Sequence, residues 1–280
     1  MASTLVSLPE IEKLSPRVIR ILGGNPGKFT LQGTNTYLVG TGPSRVLIDT
    51  GEGKPAWTSS LKKVLIEENI SIERTILTHW HHDHVGGIKD VQSLAPKSFI
   101  HKNQPGDGQT GIKDGEVFKI QGATLRALFC PGHTVDHMGF VLDEEDAMFT
   151  GDNVLGQGTA VFEDLKTYME SLEKMQTAFK GRAYPGHGPV IEDGKAKVQE
   201  YIKHRMEREQ QIVGVLRSTP SDREEGWTSM EMVKVIYKEY PEHLHAPAEG
   251  SVLHVLHKLE QEGKATQDGQ LWNLVSKERL

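Results

Sequence analysis

A chain of 280 residues has room for one large domain with an appendage, or for two ordinary domains, because single cores rarely exceed about 250–300 residues. Its 36% hydrophobic and 25% charged residues exclude the disordered and collagen-like classes, and the formal charge of −6 gives no global field to attract nucleic acid. No apolar run approaches the ~18–20 residues of a spanning helix, Glu10, Glu12, Lys13 and Arg17 interrupt any signal-peptide core, and Cys130 has no second cysteine to pair with, so a cytoplasmic protein with no membrane contact is expected.

Residues 17–22, 35–39 and 46–49 read as strands, separated by Gly23-Gly24-Asn25-Pro26-Gly27 and Gly40-Thr41-Gly42-Pro43. Trp57, Leu61, Val64 and Leu65 share one helical face and predict a helix over 57–69, after which 74–78 returns to strand. Further strands are expected at 98–101, 125–129, 139–142, 147–150 and 182–184, with a helix beginning near Asp164. Two sheets with helices outside them bury this many strands most simply. After Pro189 the pattern becomes helical. A long charged helix is expected over 196–217, a polar break over 218–226, helices over 228–240 and 252–263, and a hairpin about Gln267-Asp268-Gly269. Helix, helix and hairpin look like a winged-helix module, which divides the chain into 1–195 and 196–280 with the long helix as bridge.

Thirteen histidines are the anomaly of the composition, since neutral imidazole is the commonest side-chain ligand for transition metals. Thr78-His79-Trp80-His81-His82-Asp83-His84 places four of them and an aspartate directly after a predicted strand. In extended backbone, alternate residues point the same way, so His79, His81 and Asp83 are expected to converge while His84 reaches a neighbouring volume. Cys130-Pro131-Gly132-His133, Thr150-Gly151-Asp152 and Tyr184-Pro185-Gly186-His187 each set a ligand-type residue beside glycine after a strand. Four such strand ends can surround one pocket with enough donors for two metals.

His79-x-His81-x-Asp83-His84, followed by His133, Asp152 and His187, resembles the motif of the metallo-β-lactamase superfamily in order and spacing over roughly residues 15–190. The resemblance implies an α/β fold, the αββα sandwich. It implies His79, His81 and His133 on a first metal, Asp83, His84 and His187 on a second, and Asp152 bridging. Asp49, at a strand end, is a candidate acceptor for a ligand histidine N–H, and His137 is a candidate support for the site. His82 occupies a position that the family does not use for metal.

Nitrogen and oxygen donors without sulfur suit two divalent ions, zinc first and manganese as substitute. Two metals about 3.5–4 Å apart lower the pKa of a shared water, so the expected chemistry is hydrolysis, with Asp83 orienting the water and taking up its proton. A thiolate leaving group, with an aqueous pKa near ~8.5, departs without much help, and no dedicated general acid is evident outside the metal motif. This favours a thioester.

Gly33-Thr34-Asn35-Thr36-Tyr37-Leu38-Val39, the stretch from Pro131 to Met138, and Gly158-Thr159-Ala160-Val161-Phe162-Glu163-Asp164-Leu165 resemble the β-lactamase-like protein 2 group. That group holds both endoribonucleases and the discrete thioesterases of fungal nonreducing polyketide pathways, the atrochrysone carboxyl acyl-carrier-protein thioesterase type. Residues 23–30, 49–55 and 150–158 look more like the thioesterase branch. The resemblance implies release of an aromatic polyketide from an acyl carrier protein or polyketide synthase, with cleavage of single-stranded RNA as the alternative. From Glu200 onward, eleven Lys/Arg stand against fourteen Asp/Glu, or −3, whereas nucleic-acid readers need a basic face. His204 and Arg205, in a local basic patch, are candidates for contact with a phosphopantetheine phosphate or an RNA backbone. Val161 and Phe162 are candidates for contact with the acyl chain.

Overall fold

The computed structural model describes residues 5–220 and 226–275. Contacts divide the chain into a larger unit, built from residues up to Glu163 and from Glu170–Gln199, and a smaller one, built from Asp164–Met169 and from Glu200 onward. The long helix α5 (Gly194–Leu216) belongs to the larger unit up to Gln199, and the expected division at residue 195 falls inside it.

The larger unit holds two sheets. The first contains β1 (Ile11–Ser15), β2 (Val18–Leu22), β3 (Asn35–Val39), β4 (Ser44–Ile48), β5 (Ser71–Leu77), β6 (Phe99–Lys102) and β7 (Thr110–Gly111), side by side in chain order. Pairing is antiparallel as far as β4 and parallel from β4 to β7. The parallel crossovers carry α1 (Pro55–Glu67), then α2 (His82–Val85) and α3 (Ile88–Leu94). The second sheet contains β8 (Val117–Ile120), β9 (Ala123–Phe129), β10 (Met138–Leu142), β11 (Ala147–Gly151) and β12 (Ala183–Pro185). Only its last pair, β11 with β12, is parallel, joined through α4 (Leu165–Ala178).

Side-chain alternation decides how these layers stack. Tyr37 and Val39 of β3 and Val46 and Ile48 of β4 meet Phe118, Leu125, Phe140 and Phe149 of the second sheet in the inter-sheet core. Their neighbours Leu38 and Leu47 face the other way, against Trp57, Leu61 and Val64 of α1 and Val91 of α3. Pro55 opens α1, where its missing N–H costs nothing, and the spacing of Trp57, Leu61 and Val64 turns one face inward. Trp57, fully buried, donates from Nε1 to Thr36 Oγ1 at 2.9 Å and pins the helix to β3. From Glu170 on, α4 covers the second sheet, with Ser171 Oγ donating to Pro131 O and Lys174 Nζ to Phe129 O.

The smaller unit contains α5 from Glu200, α6 (Ser229–Ile236), α7 (His245–Gln261) and the hairpin β13 (Ala265–Asp268)–β14 (Leu271–Leu274). Thr228 and Glu231 form a reciprocal capping box at the start of α6. The helix ends at Ile236, short of the expected 240, because the chain turns ahead of Pro241. Conversely, α7 starts at His245 and not near 252: Pro247 lies in its first turn, where a missing N–H has no intrahelical partner to lose. Residues 221–225 of the expected polar break lie outside the described residues. No helix among the described residues is long and apolar enough to cross a membrane.

Candidate metal centre

Two of the parallel pairs, β4–β5 and β11–β12, deliver most of the site. Asp49 follows β4, His79 follows β5, Asp152 follows β11 and His187 follows β12, all at the strands' C-terminal ends; His133 and His137 lie between β9 and β10. Within the last of these loops the buried Asp136 carboxylate pairs with Lys102 at the end of β6 and also accepts from Thr134 Oγ1 at 2.7 Å. Glycines allow the close approach: a Cβ at Gly186 would stand 2.2 Å from Asp152 Oδ1, and one at Gly151 2.5 Å from His137 Nε2.

The structure gathers the donors into two groups, His79, His81, His133 and Asp152 in one and Asp83, His84 and His187 in the other, each with ligand atoms within 4.8 Å of one another. Asp152 faces both. Its Oδ2 lies 3.1 Å from His187 Nε2 and 3.7 Å from His133 Nε2, and its Oδ1 lies 3.4 Å from His84 Nε2. The expectation that Asp83 turns the same way as His79 and His81 is corrected, since Asp83 lies with His84 and His187. Helix α2 begins at His82, so the two-residue alternation ends there. His82 itself is exposed.

Hydrogen bonds decide which ring nitrogens keep lone pairs. Thr78 Oγ1 gives its proton to Asp49 Oδ2 at 2.8 Å, so His79 Nδ1, 2.9 Å from the same oxygen, must donate to it and leave Nε2 bare. His133 Nδ1 donates to Val161 O at 2.7 Å, and His84 Nδ1 to Asp49 Oδ2 at 2.8 Å. His79 Nε2 and His133 Nε2 then both point at His81 Nδ1, from 3.0 and 3.1 Å. The His81 ring has one N–H at most to offer, so at least two lone pairs meet here, the arrangement that a cation satisfies. Asp152 Oδ1 and His187 Nδ1 are buried without a hydrogen-bond partner. The residues therefore fit divalent metal ions held by nitrogen and oxygen.

Electrostatics agree with that fit. Burial, then the neighbouring charged His84, holds His79 well below its usual range, and burial and His133 lower His81, so both are neutral ligands at pH 7. Burial also acts against charge on His84 and His187, yet Asp152 together with Asp49 at His84, and with Asp83 at His187, outweighs it, raising His84 and bringing His187 up to about 9. Burial would raise Asp83, but hydrogen bonds from His187 and His84 outweigh it and hold the carboxyl well below the usual range.

Asp49 accepts from Thr78 N, from Thr78 Oγ1 and from His84 Nδ1, each at 2.8 Å, so one carboxylate orients a histidine in each group. His137, fully buried and held neutral by burial and by His133, accepts the backbone N–H of Asp152 at Nε2, 3.1 Å away. Its Nδ1 then carries the proton toward Cys130 Sγ at 3.4 Å. Cys130 is a buried free thiol pushed up to about 12 by that burial, chemically inert in this setting.

Above the donors lies a cavity of about 430 Å³ with His81, Asp83, His133, Asp152 and His187 in its lining. One lip is Lys28–Leu31 and the other Gln157–Val161. Val161 lines the cavity and is 58% exposed; its neighbour Phe162 is partly buried and does not, as adjacent residues in non-helical backbone diverge. Nothing in the sequence pattern marks the first lip as a contact surface: Phe29, 70% exposed, lies in a glycine-flanked turn with no periodicity. His204 and Arg205 belong to the smaller unit, whereas every residue lining this cavity belongs to the larger one. Within its own unit Arg205 lies over the Tyr168 ring, 6.0 Å from the centroid.

Residues 29–103 match the metallo-β-lactamase superfamily and 228–272 the β-lactamase-associated winged-helix domain. The lactamase-like protein nscB of Neosartorya fischeri is 52% identical over 252 residues, 86% of this chain and 77% of that protein. An atrochrysone carboxyl ACP thioesterase of Aspergillus chevalieri is 52% identical over 219 residues, 78% of this chain and 71% of that protein. Among solved structures, a β-lactamase domain protein from Burkholderia ambifaria superposes with a TM-score of 0.78 at 15% identity, covering 98% of this chain and 96% of its own. A metallo-β-lactamase family protein from Thermus thermophilus gives 0.72 at 20% identity, covering 94% and 100%. With a paired-sheet unit carrying a histidine–aspartate donor set, a winged-helix unit beside it in the sequence and half-identical relatives over most of its length, the chain belongs to the metallo-β-lactamase superfamily and is a metal-dependent hydrolase.

Proposed function

We propose that the protein cleaves an acyl thioester, releasing an aromatic polyketide acid from its acyl carrier protein, with two zinc ions held by the two donor groups and Asp152 between them. The observation that carries this reading is the cavity. Its floor is the donor set, its lips offer Phe29, Leu31, Leu155, Ala160 and Val161, and among the described residues Lys28 is the one lysine or arginine that lines it. An apolar acyl group gains from burial there, whereas an RNA strand needs several cationic contacts. The half-identical relative named as an ACP thioesterase supports the same reading.

When bound, the metal ions supply the means to ionise a water at neutral pH and to offset charge developing on the carbonyl oxygen. The chain's own residues do the rest. His79 and His81 present neutral imidazoles, and Thr78 and Val161 fix the orientations of His79 and His133. Asp83, kept ionised, faces the cavity as an acceptor that aligns the attacking water and receives its hydrogen bond. The departing thiol, with a pKa near ~8.5, leaves as thiolate and takes its proton from solvent. We place the reaction in the cytoplasm, where an uncrosslinked Cys130 is stable.

The deciding experiment gives the purified zinc-loaded chain a carrier-bound polyketide thioester and, separately, single-stranded RNA. Thioester turnover is expected. Efficient RNA cleavage that falls steeply with salt, with no turnover of a small thioester mimic, would replace this reading by the endoribonuclease one.

A further inference from the structure

Asn25 and Thr34 stand outside the donor set, yet both are buried, at 6% and 0% exposure. The backbone N–H of Thr34 lies 2.9 Å from one end of the Asn25 amide, and because an N–H only donates, that end is Oδ1. The other end, Nδ2, therefore faces Thr34 Oγ1 at 3.0 Å and donates to it. Having accepted there, the hydroxyl directs its single proton to Asp83 Oδ2, 3.2 Å away. The polarity of the chain from Asn25 to Asp83 is thus set by one backbone amide.

The amide is also held in place. A Cβ at Gly23 would stand 2.6 Å from Asn25 Oδ1 and one at Gly33, where φ is +125°, 3.3 Å, so both positions leave room for it. The intervening loop is closed by Gly27 N to Leu31 O at 3.1 Å, by Gly33 N to Thr30 O at 2.8 Å and by Thr30 Oγ1 to Asn25 O at 2.6 Å. Asp83 needs such a hold. It lies on the four-residue helix α2 with its side chain 23% exposed, while His84, His187 and Asp152 are at 0%, 3% and 11%. Packing that fixes those three does not fix Asp83.

We propose that Asn25 and Thr34 are positioning residues that hold the Asp83 carboxylate in the orientation required by the donor group of Asp83, His84 and His187. This rests on the metal-site reading above, but not on which ester or diester is cleaved. Thr34→Val removes the proton and keeps the shape; Asn25→Asp keeps the acceptor for Thr34 N but turns the Nδ2 donor into an acceptor, drawing the hydroxyl proton away from Asp83. Thr34→Ser restores the hydroxyl.

The test measures, on the full-length protein, Zn²⁺ binding under competition with a chelator, alongside kcat and KM for a small thioester. Thr34→Val and Asn25→Asp should each weaken the second equivalent of Zn²⁺ by roughly 10–100-fold, leave the first unchanged and lower kcat more than KM rises, with thermal unfolding close to wild type. Thr34→Ser should recover both readouts. Wild-type Zn²⁺ binding in Thr34→Val or Asn25→Asp overturns the proposal, as does equal weakening of both equivalents. Thr34→Ser failing as badly as Thr34→Val would assign the role to the methyl group and overturn it too. Should the wild-type protein turn over no thioester, the function reading fails while the Zn²⁺ measurements still decide the positioning role.

Discussion

Asp152 and Asp49 each serve both donor groups, one by facing them and the other by holding their histidines from behind. Asp152→Ala removes the carboxylate that faces His84, His133 and His187, so Zn²⁺ content should fall at both positions and hydrolysis should be lost. Full metal occupancy with unchanged turnover in that variant would remove Asp152 from the bridging role. Asp49→Asn is subtler, since shape is kept while one carboxylate oxygen becomes a donor facing Thr78 N or, on the other side, Thr78 Oγ1 and His84 Nδ1. Either orientation sets donor against donor, and metal affinity should drop roughly 10–100-fold at both groups. Binding isotherms that match wild type would show that Asp49 serves only the β4 turn. At this scale the ligand types were legible because each stands beside a glycine or within the histidine run. Their partition was implied by the family motif but not by the spacing: Asp83 changes sides because α2 replaces an extended backbone with a helical one after His81, and alternation alone does not announce that turn.

The same contrast holds for whole elements. Strands β2 to β5 and β9 to β11 were readable because apolar runs on buried strands are bounded by glycine, proline or polar turns. Edge strands β1 and β8 were not, since Ile11–Ser15 and Val117–Ile120 are only partly buried and carry charged residues in the run. The Lys28–Leu31 lip escaped for a related reason, as a short turn has no period to detect. Leu31 sits there at φ +55°, a strained conformation for a branched side chain, and such strain gathers at ligand-binding loops. The expectation moved from Phe162 therefore falls on Phe29 and Val161, one from each lip. Phe29→Ala should lower kcat/KM for a long aromatic thioester by the burial value of its side chain, about 1.5–3 kcal/mol, and Val161→Ala by less, with an acetyl thioester nearly unaffected and metal content unchanged. Equal losses on both thioesters would mean that the lips shape the loops and do not contact the acyl group.

For the molecule as a whole, metal and protons compete for one set of donors, and the competition fixes how stability responds to pH. In metal-free protein His187 is raised to about 9 and His84 is raised as well, from an unfolded value near 6.5. Between these values the folded state binds more protons than the unfolded one, so the stabilisation is complete below ~6.5 and is lost as pH rises through about 9, by up to ~1.4 kcal/mol per pH unit for each retained proton. On the acid side the signs reverse. His79, His81 and His137 are lowered and Asp83 and Asp152 are depressed, so the unfolded state takes up the protons there and stability falls as pH drops. On the proposed site, bound metal would take the place of the protons on His84 and His187 and add its own binding free energy to the folded state. Chelated protein should therefore show a Tm that declines from about pH 6.5 to 9, and zinc-loaded protein a higher Tm that is level or rising over the same window, since metal binding strengthens as protons leave. Scanning calorimetry of both forms in matched buffers is the measurement. A metal-free Tm that stays flat or climbs across that interval would mean that His84 and His187 do not hold protons against the Asp152 carboxylate, and that the buried charge is balanced by some other arrangement of the seven donors.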